Sequence, residues 1–222
     1  MTKTILMVVT SHDHIDAEHS TGIWFEEFAT PYSLFLAAGY QVAITSPKGG
    51  DAPIDANSLT EYEASAENEA ARAALKGLPA LDEQFTADDY DAVFFPGGHG
   101  TMFDLPDNPQ IQQLIRSFHE QGKVVASVCH GPACLVNVTL SSGAPLISGK
   151  RVTAFTNSEE RAVNLDQAMP FLLESKLRDC GAEFIPGSDW QDHVIIDGTL
   201  VTGQNPQSSA SAAKAVIELL NH

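Results

Sequence analysis

The sequence predicts an α/β fold in which a mostly parallel sheet is covered by helices on both faces. Three observations carry that prediction. Short apolar runs suited to buried strands recur at residues 4–10, 41–46, 92–96, 123–128 and 151–155. Stretches with helical periodicity lie between them, the alternation expected of a wrapped parallel sheet. The 222-residue chain is also 43% hydrophobic and 8% aromatic, enough for a sizeable core and too apolar for a disordered chain.

The first run, Ile5 to Val9, is far shorter than a membrane span, and the polar Ser11, His12, Asp13 and His14 that follow it do not form a leader's cleavage site. Next comes a helix. At about 100° per residue its Trp24, Phe25, Phe28, Tyr32, Phe35 and Leu36 share one arc, while Pro31 predicts a kink or a restart. After the strand at 41–46, residues 51–91 break the rhythm. They are acidic and Ala-rich, with turn signals at Pro53 and Pro79 and a helix over 67–76, and they read as an insertion.

The strand at 92–96 leads to a helix capped by Asn108 and started by Pro109. Its Ile111, Leu114, Ile115 and Phe118 recur at i, i+3, i+4 and i+7, and Gly122 ends it. A further helix is expected over 167–179, stopped at Gly181. The late runs 183–185, 193–197 and 199–202 read as extra strands, the last two joined by an Asp197-Gly198 turn, so the sheet is mixed at one edge. From Pro206 onward, Ala212, Ala213, Val216, Leu219 and Leu220 form one stripe that packs back on the sheet. Residues 1–222 read as one domain without repeats.

Charge narrows the partners. Twelve Lys and Arg against 29 Asp and Glu give a net charge of −17, which repels phosphate backbones and anionic lipid, so neither nucleic acid nor a membrane is expected. The three cysteines, Cys129, Cys134 and Cys180, are odd in number and lack a C-x-x-C pair. They support no disulfide framework and no zinc ribbon, and they point to a reducing cytoplasm.

Cys129 stands where a buried strand, Val124 to Val128, runs directly into His130, Gly131, Pro132 and an apolar stretch expected to be a helix. A nucleophile elbow turns so sharply that it needs small residues two positions to either side, and Ser127 and Gly131 fill those places. A thiol at a helix N-terminus would gain thiolate character from the macrodipole. Cys129 is therefore the candidate nucleophile and His130, beside it, the candidate general base. Cys134 and Cys180 lack such a context and read as packing residues.

A second Gly-rich turn, Pro96-Gly97-Gly98-His99-Gly100, also follows a strand. It lacks a phosphate-binding pattern, and ligands in open parallel sheets gather beyond the carboxyl ends of the strands, which places it beside Cys129. Its backbone N–H groups, that of Gly98 foremost, could join the His130 N–H in an oxyanion site next to His99.

Of two adjacent acids in the first helix, Glu26 points away from the apolar arc and Glu27 lies nearer its edge, so Glu27 is the better buried candidate. Glu159 and Glu160 follow another strand, and either could orient the His130 imidazole. His12, His14 and His19, with Asp13, Asp16 and Glu18, match no zinc spacing and read as a polar loop, so no metal is expected.

These residues resemble the ThiJ/PfpI superfamily, related to class I glutamine amidotransferases, and in particular its heat-shock-chaperone-like glyoxalase III branch. The likeness rests on T-G-x-x-x-E-E-x-x-x-P-Y at 21–32, S-P-K-G-G at 46–50, G-G-H-G-T-M-F-D at 97–104, V-C-H-G-P at 128–132, F-T-N-S-E-E at 155–160 and V-T-G-Q-N-P at 201–206. It implies a flavodoxin-like sandwich and a homodimer. It also implies catalytic roles for Cys129, His130, Glu27 and, of the later acids, Glu160. The amidotransferases' own His-x-Glu pair is absent, since Val194 and Ile195 follow His193.

The implied activity converts methylglyoxal, a 2-oxoaldehyde, to lactate without glutathione or any cofactor. The same cysteine could instead serve a deglycase of proteins or nucleotides, or an amidase. A stress holdase or redox sensor is the reading from another class.

Overall fold

In the computed structural model, which describes residues 2–60 and 64–222, the first four apolar runs each form a strand of the main sheet. β1 (Thr4–Val8), β2 (Gln41–Thr45), β3 (Ala92–Phe95) and β4 (Val124–Val128) are mutually parallel. Two more strands, β7 (Val194–Asp197) and β8 (Leu200–Gly203), complete the order β2-β1-β3-β4-β8-β7. β8 runs parallel to β4, and β7 pairs antiparallel with β8 through the turn at Gly198, so one edge is mixed as expected.

Because side chains alternate along a strand, each central strand feeds two cores. Leu6, Val8, Val93, Phe95 and Val125 pack to one side, against Ile111, Leu114, Ile115 and Phe118 of α4 (Pro109–Glu120). Ile5, Met7, Phe94, Val124 and Ala126 pack to the other. There they meet Phe28 and Phe35 of α1 (Phe25–Ala37) and Ala212, Ala213 and Val216 of α7 (Ser209–Asn221). The short α3 (Thr101–Asp104) follows the Gly-rich turn. Within residues 51–91, α2 (Ala66–Ala74) is capped by Ser65 and buries Ala71, and isolated bridges Ser46–Ala80 and Gly50–Leu78 tie the segment to the sheet's flank. Residues 61–63 of that segment lie outside the described residues.

Four expectations are corrected. The run at 151–155 is not a strand of the main sheet: β8 occupies that side of β4, and only β5 (Arg151–Val152) forms, pairing with β6 (Glu183–Phe184) in a separate two-stranded sheet. The helix expected over 167–179 begins late, as α6 (Leu173–Asp179), because Pro170 lacks an N–H and disfavours helix in the residue before it. Of the kink or restart expected at Pro31, the restart does not occur: α1 runs through the proline, where Glu27's carbonyl loses its i+4 donor. After Cys129 the chain makes a five-residue 3₁₀ turn, Gly131–Leu135, not an α-helix, so little macrodipole acts on the thiol. No helix among the described residues is long and apolar enough to cross a membrane.

Candidate active site

The site lies at the carboxyl ends of β1, β3 and β4. From β1 the chain moves out to β2 on one side and then returns from β2 past β1 to β3 on the other, and this reversal opens a crevice at the carboxyl ends of β1 and β3. Cys129 closes β4 with φ +59, a left-handed conformation that costs a non-glycine residue of order 1–3 kcal/mol and that an elbow requires. The flanks show why they are small. A Cβ on Gly131 would sit 2.2 Å from the Phe95 carbonyl oxygen. At Gly98, φ is +103 and a Cβ would meet the Gly22 carbonyl oxygen at 2.2 Å and the Trp24 nitrogen at 2.5 Å. Gly98→Ala should therefore lower the unfolding free energy by about 3 kcal/mol; an unchanged urea midpoint would contradict this close approach.

Around the buried sulfur the titrating groups form one chain. His130 Nδ1 is 3.3 Å from Cys129 Sγ, and Nε2 of the same ring is 2.7 Å from Glu160 Oε2. The other oxygen of Glu160 is 2.8 Å from His99 Nε2, so one carboxylate holds two imidazoles whose centroids are 4.1 Å apart. Both Nε2 atoms then carry the proton, and His130 presents the lone pair of Nδ1 to the thiol. Glu27 approaches from α1: its Oε2 accepts from the Gly97 N–H at 2.8 Å, while Oε1 is buried beside Cys129 and makes no hydrogen bond of ordinary geometry.

Charge follows from these contacts. Burial pushes the Glu27 carboxyl well above its usual range, against the opposing pull of the neighbouring Cys129 thiol and the hydrogen bond from Gly97. Burial also pushes the Cys129 thiol well up, and Glu27 adds to this, so the thiolate that a helix dipole was expected to favour is not favoured in the resting site. The His130 imidazole is held below its ordinary value by burial and then by His99, against the pull of Glu160. Burial raises Glu160 too, but the positive end of His130 and the hydrogen bonds from both rings outweigh it, and the carboxyl lies below its normal range.

Glu159 and Glu160, inseparable by residue chemistry, occupy different environments. Both belong to α5 (Asn157–Ala162). Glu159 closes a capping box with Thr156 and accepts from the Trp190 N–H and the side-chain amides of Gln204 and Asn205. Glu160, next along the turn, faces the imidazoles. The segment is aimed at the elbow by the Phe155 N–H, which donates to the Cys129 carbonyl at 2.9 Å.

Over Cys129 lies a cavity of about 50 Å³ lined by Trp24, Gly98, His99, Phe155, Val163 and Trp190. Trp190 adopts φ +57, fixed by its N–H bond to Glu159, and meets Phe155 edge-on at 5.5 Å. Sequence reasoning missed this wall, since nothing in the residue types signals a left-handed tryptophan.

His12 stacks on both His14, at 4.8 Å, and Phe103, but His14 pairs with Asp13 and His19 with Asp16, so the three imidazoles do not share one site. Among the described residues, the donors of His99, His130 and Glu160 do lie within 4.8 Å of one another, already paired to one another by hydrogen bonds.

Comparisons with known proteins give the family and the fold. The pattern of the DJ-1/PfpI family matches residues 25–219. The glutathione-independent glyoxalase hsp3101 of Schizosaccharomyces pombe is 36% identical over 216 residues, 90% of this chain and 88% of its own. Among solved structures, Rapid Encystment Protein 24 kDa of Francisella tularensis superposes with a TM-score of 0.93 at 36% identity, covering 99% of both chains. Glyoxalase III of Candida albicans superposes with a TM-score of 0.88 at 30% identity, over 98% of this chain and 97% of its own.

Proposed function

As the chain belongs to the DJ-1/PfpI family, we propose that it is a glutathione-independent glyoxalase that converts methylglyoxal and related 2-oxoaldehydes to 2-hydroxy acids through Cys129. One observation carries the reading: a buried thiol with the His130 lone pair at 3.3 Å on one side and the Glu27 carboxyl on the other. The relatives named as glyoxalases support it.

The chemistry runs without an external oxidant. Cys129 sulfur adds to the aldehyde carbon C1, forming a C–S bond, while the thiol proton passes to His130 and the carbonyl oxygen becomes a hydroxyl. Glu27, whose burial favours the neutral carboxyl, supplies and retrieves protons on the opposite side. The hydrogen on C1 leaves as a proton and returns at C2 through an enediol, so C1 is oxidised to a thioester as C2 is reduced to a carbinol. Water then breaks the C–S bond, releasing the acid and restoring the thiol. The route calls for neither nicotinamide nor metal. The N–H groups of Gly98 and His130, with His99 beside them, are the proposed holders of the developing oxyanion.

Glu160 acts through His130 by fixing its tautomer. In Glu160→Gln the single amide oxygen can accept from only one of the two imidazoles, and kcat should fall about 100-fold with KM changing far less. A KM effect as large as the kcat effect would contradict the positioning role.

In the same reading the protein is one domain over residues 1–222 and works as a homodimer in a reducing compartment, consistent with its three free thiols. The test is incubation with excess methylglyoxal in the absence of glutathione and added metal. Many equivalents of lactate per Cys129 are expected. Faster consumption of a glycated peptide or a peptide amide than of the free aldehyde would overturn the assignment.

A further inference from the structure

The small cavity over Cys129 is not closed off. Trp24, Trp190 and Pro206 are also walls of a groove of about 790 Å³ immediately outside it. The two spaces differ in chemistry. The inner cavity is walled almost wholly by carbon and holds about a three-carbon unit. The outer groove adds the side chains of Glu26, Thr30, Asn57, Ser58, Thr60 and Gln207. Methylglyoxal, with a lone methyl group beyond its two carbonyls, would leave that groove unused.

We infer that the site accepts 2-oxoaldehydes that carry a neutral polyhydroxyl chain, of the kind formed when a hexose loses water, with the dicarbonyl head at Cys129 and the hydroxylated tail in the groove. The inference rests on the glyoxalase reading and names its substrate class. Three features support it. Beside the apolar Trp24, Phe25, Trp190 and Pro206 the groove carries hydroxyls and amides: the Ser58 hydroxyl donates to the Asp55 carbonyl and the Thr60 hydroxyl to the Asn57 carbonyl, so both oxygens remain acceptors for a ligand's hydroxyl protons. The amides of Asn57 and Gln207 offer donors and acceptors together. Its volume lies within the range of small-molecule sites.

Charge then separates neutral tails from anionic ones. Glu26 lines the groove and the whole chain carries −17, so a phosphorylated tail is repelled where a free polyol is not. The balance of the reaction is that of methylglyoxal: R–CO–CHO plus water gives R–CHOH–COOH. The C–S bond forms at C1, the C1 hydrogen moves to C2 as a proton, and water releases the acid from sulfur.

The test compares kcat/KM for methylglyoxal, a 3-deoxyhexos-2-ulose, its 6-phosphate ester and phenylglyoxal, in the wild type and in the double variant Asn57→Ala, Gln207→Ala. The neutral polyol is expected to exceed its phosphate ester at least tenfold. Its ratio to methylglyoxal should drop about tenfold in the double variant. A ratio that the variant does not move, or a preference for the phosphate ester or for phenylglyoxal over the polyol, overturns the inference. A second readout needs no turnover: sorbitol should slow alkylation of Cys129 by iodoacetamide, and the double variant should lose that protection. If no 2-oxoaldehyde yields acid, the glyoxalase reading fails; protection lost in the variant then still supports the groove, and absence of protection removes it. Lactate from methylglyoxal with no use of the polyol leaves the reading standing and defeats the groove alone.

Discussion

Cys129→Ala should reduce glutathione-independent lactate formation by at least about 10⁴-fold, to the solution background, because every step of the proposed route passes through a bond to that sulfur. The fold should survive the change. The thiol is buried, and alanine keeps the Cβ in the left-handed elbow while removing only the sulfur. Circular dichroism and the urea midpoint would therefore stay near those of the wild type while turnover vanishes. Cys134→Ala offers the contrast. That thiol is also buried and its pKa also pushed up by burial, but it packs on the opposite side of the sheet, away from Glu27 and His130. Its loss should leave a cavity and cost stability without removing the chemistry.

Glu27→Gln is expected to separate activity from stability in opposite directions. The amide can still accept from the Gly97 N–H, so the local geometry is preserved. It cannot give a proton to the substrate oxygen and take it back, and kcat should fall about 10²- to 10⁴-fold. The sign of the stability change follows from the burial of the carboxyl. Its folded pKa lies above the unfolded value, so folding takes up a proton wherever the pH lies between the two. The stability tied to this group is fully present below the unfolded pKa, near pH 4, and is lost as pH rises through the folded pKa, by about 1.4 kcal/mol per unit within that window. The amide has no such dependence. Thermal unfolding of the two proteins from pH 4 to pH 8 should show the variant gaining on the wild type as pH increases. A constant difference across that range would mean that Glu27 is ionised in the folded protein.

Much of this arrangement is legible in the sequence because it is written in periodicity and in small residues. Buried parallel strands are apolar on both faces, so β1, β3 and β4 stand out as continuous runs, and the Pro109 helix announces its cap, its stripe and its end. Gly131 marks the elbow because a Cβ there would collide with the Phe95 carbonyl.

What was misread depends on competition between segments. Residues 151–155 look like a strand, but the place beside β4 goes to β8, a choice made by pairing far along the chain. The 3₁₀ turn after Cys129 likewise gives no signal distinct from a helix start, and with it went the expected source of thiolate character. Glu159 and Glu160 could have been separated: Thr156-Asn157-Ser158-Glu159 is a capping-box pattern, which commits Glu159 to the helix start and leaves Glu160 for the imidazoles. Trp190 could not, since its role depends on a backbone angle set by Glu159 from a distant element.

The central claim is that Cys129 carries the aldehyde carbon from hemithioacetal to thioester and then releases it as an acid. The most direct measurement is NMR of the protein with methylglyoxal labelled with ¹³C at C1, in the absence of glutathione, for the wild type and Cys129→Ala. The wild type should move the label from aldehyde to lactate carboxylate over many turnovers, and the alanine variant should leave it in the aldehyde. Labelled lactate formed at the same rate by both proteins, or a wild type that traps one equivalent of label and stops, would contradict the account.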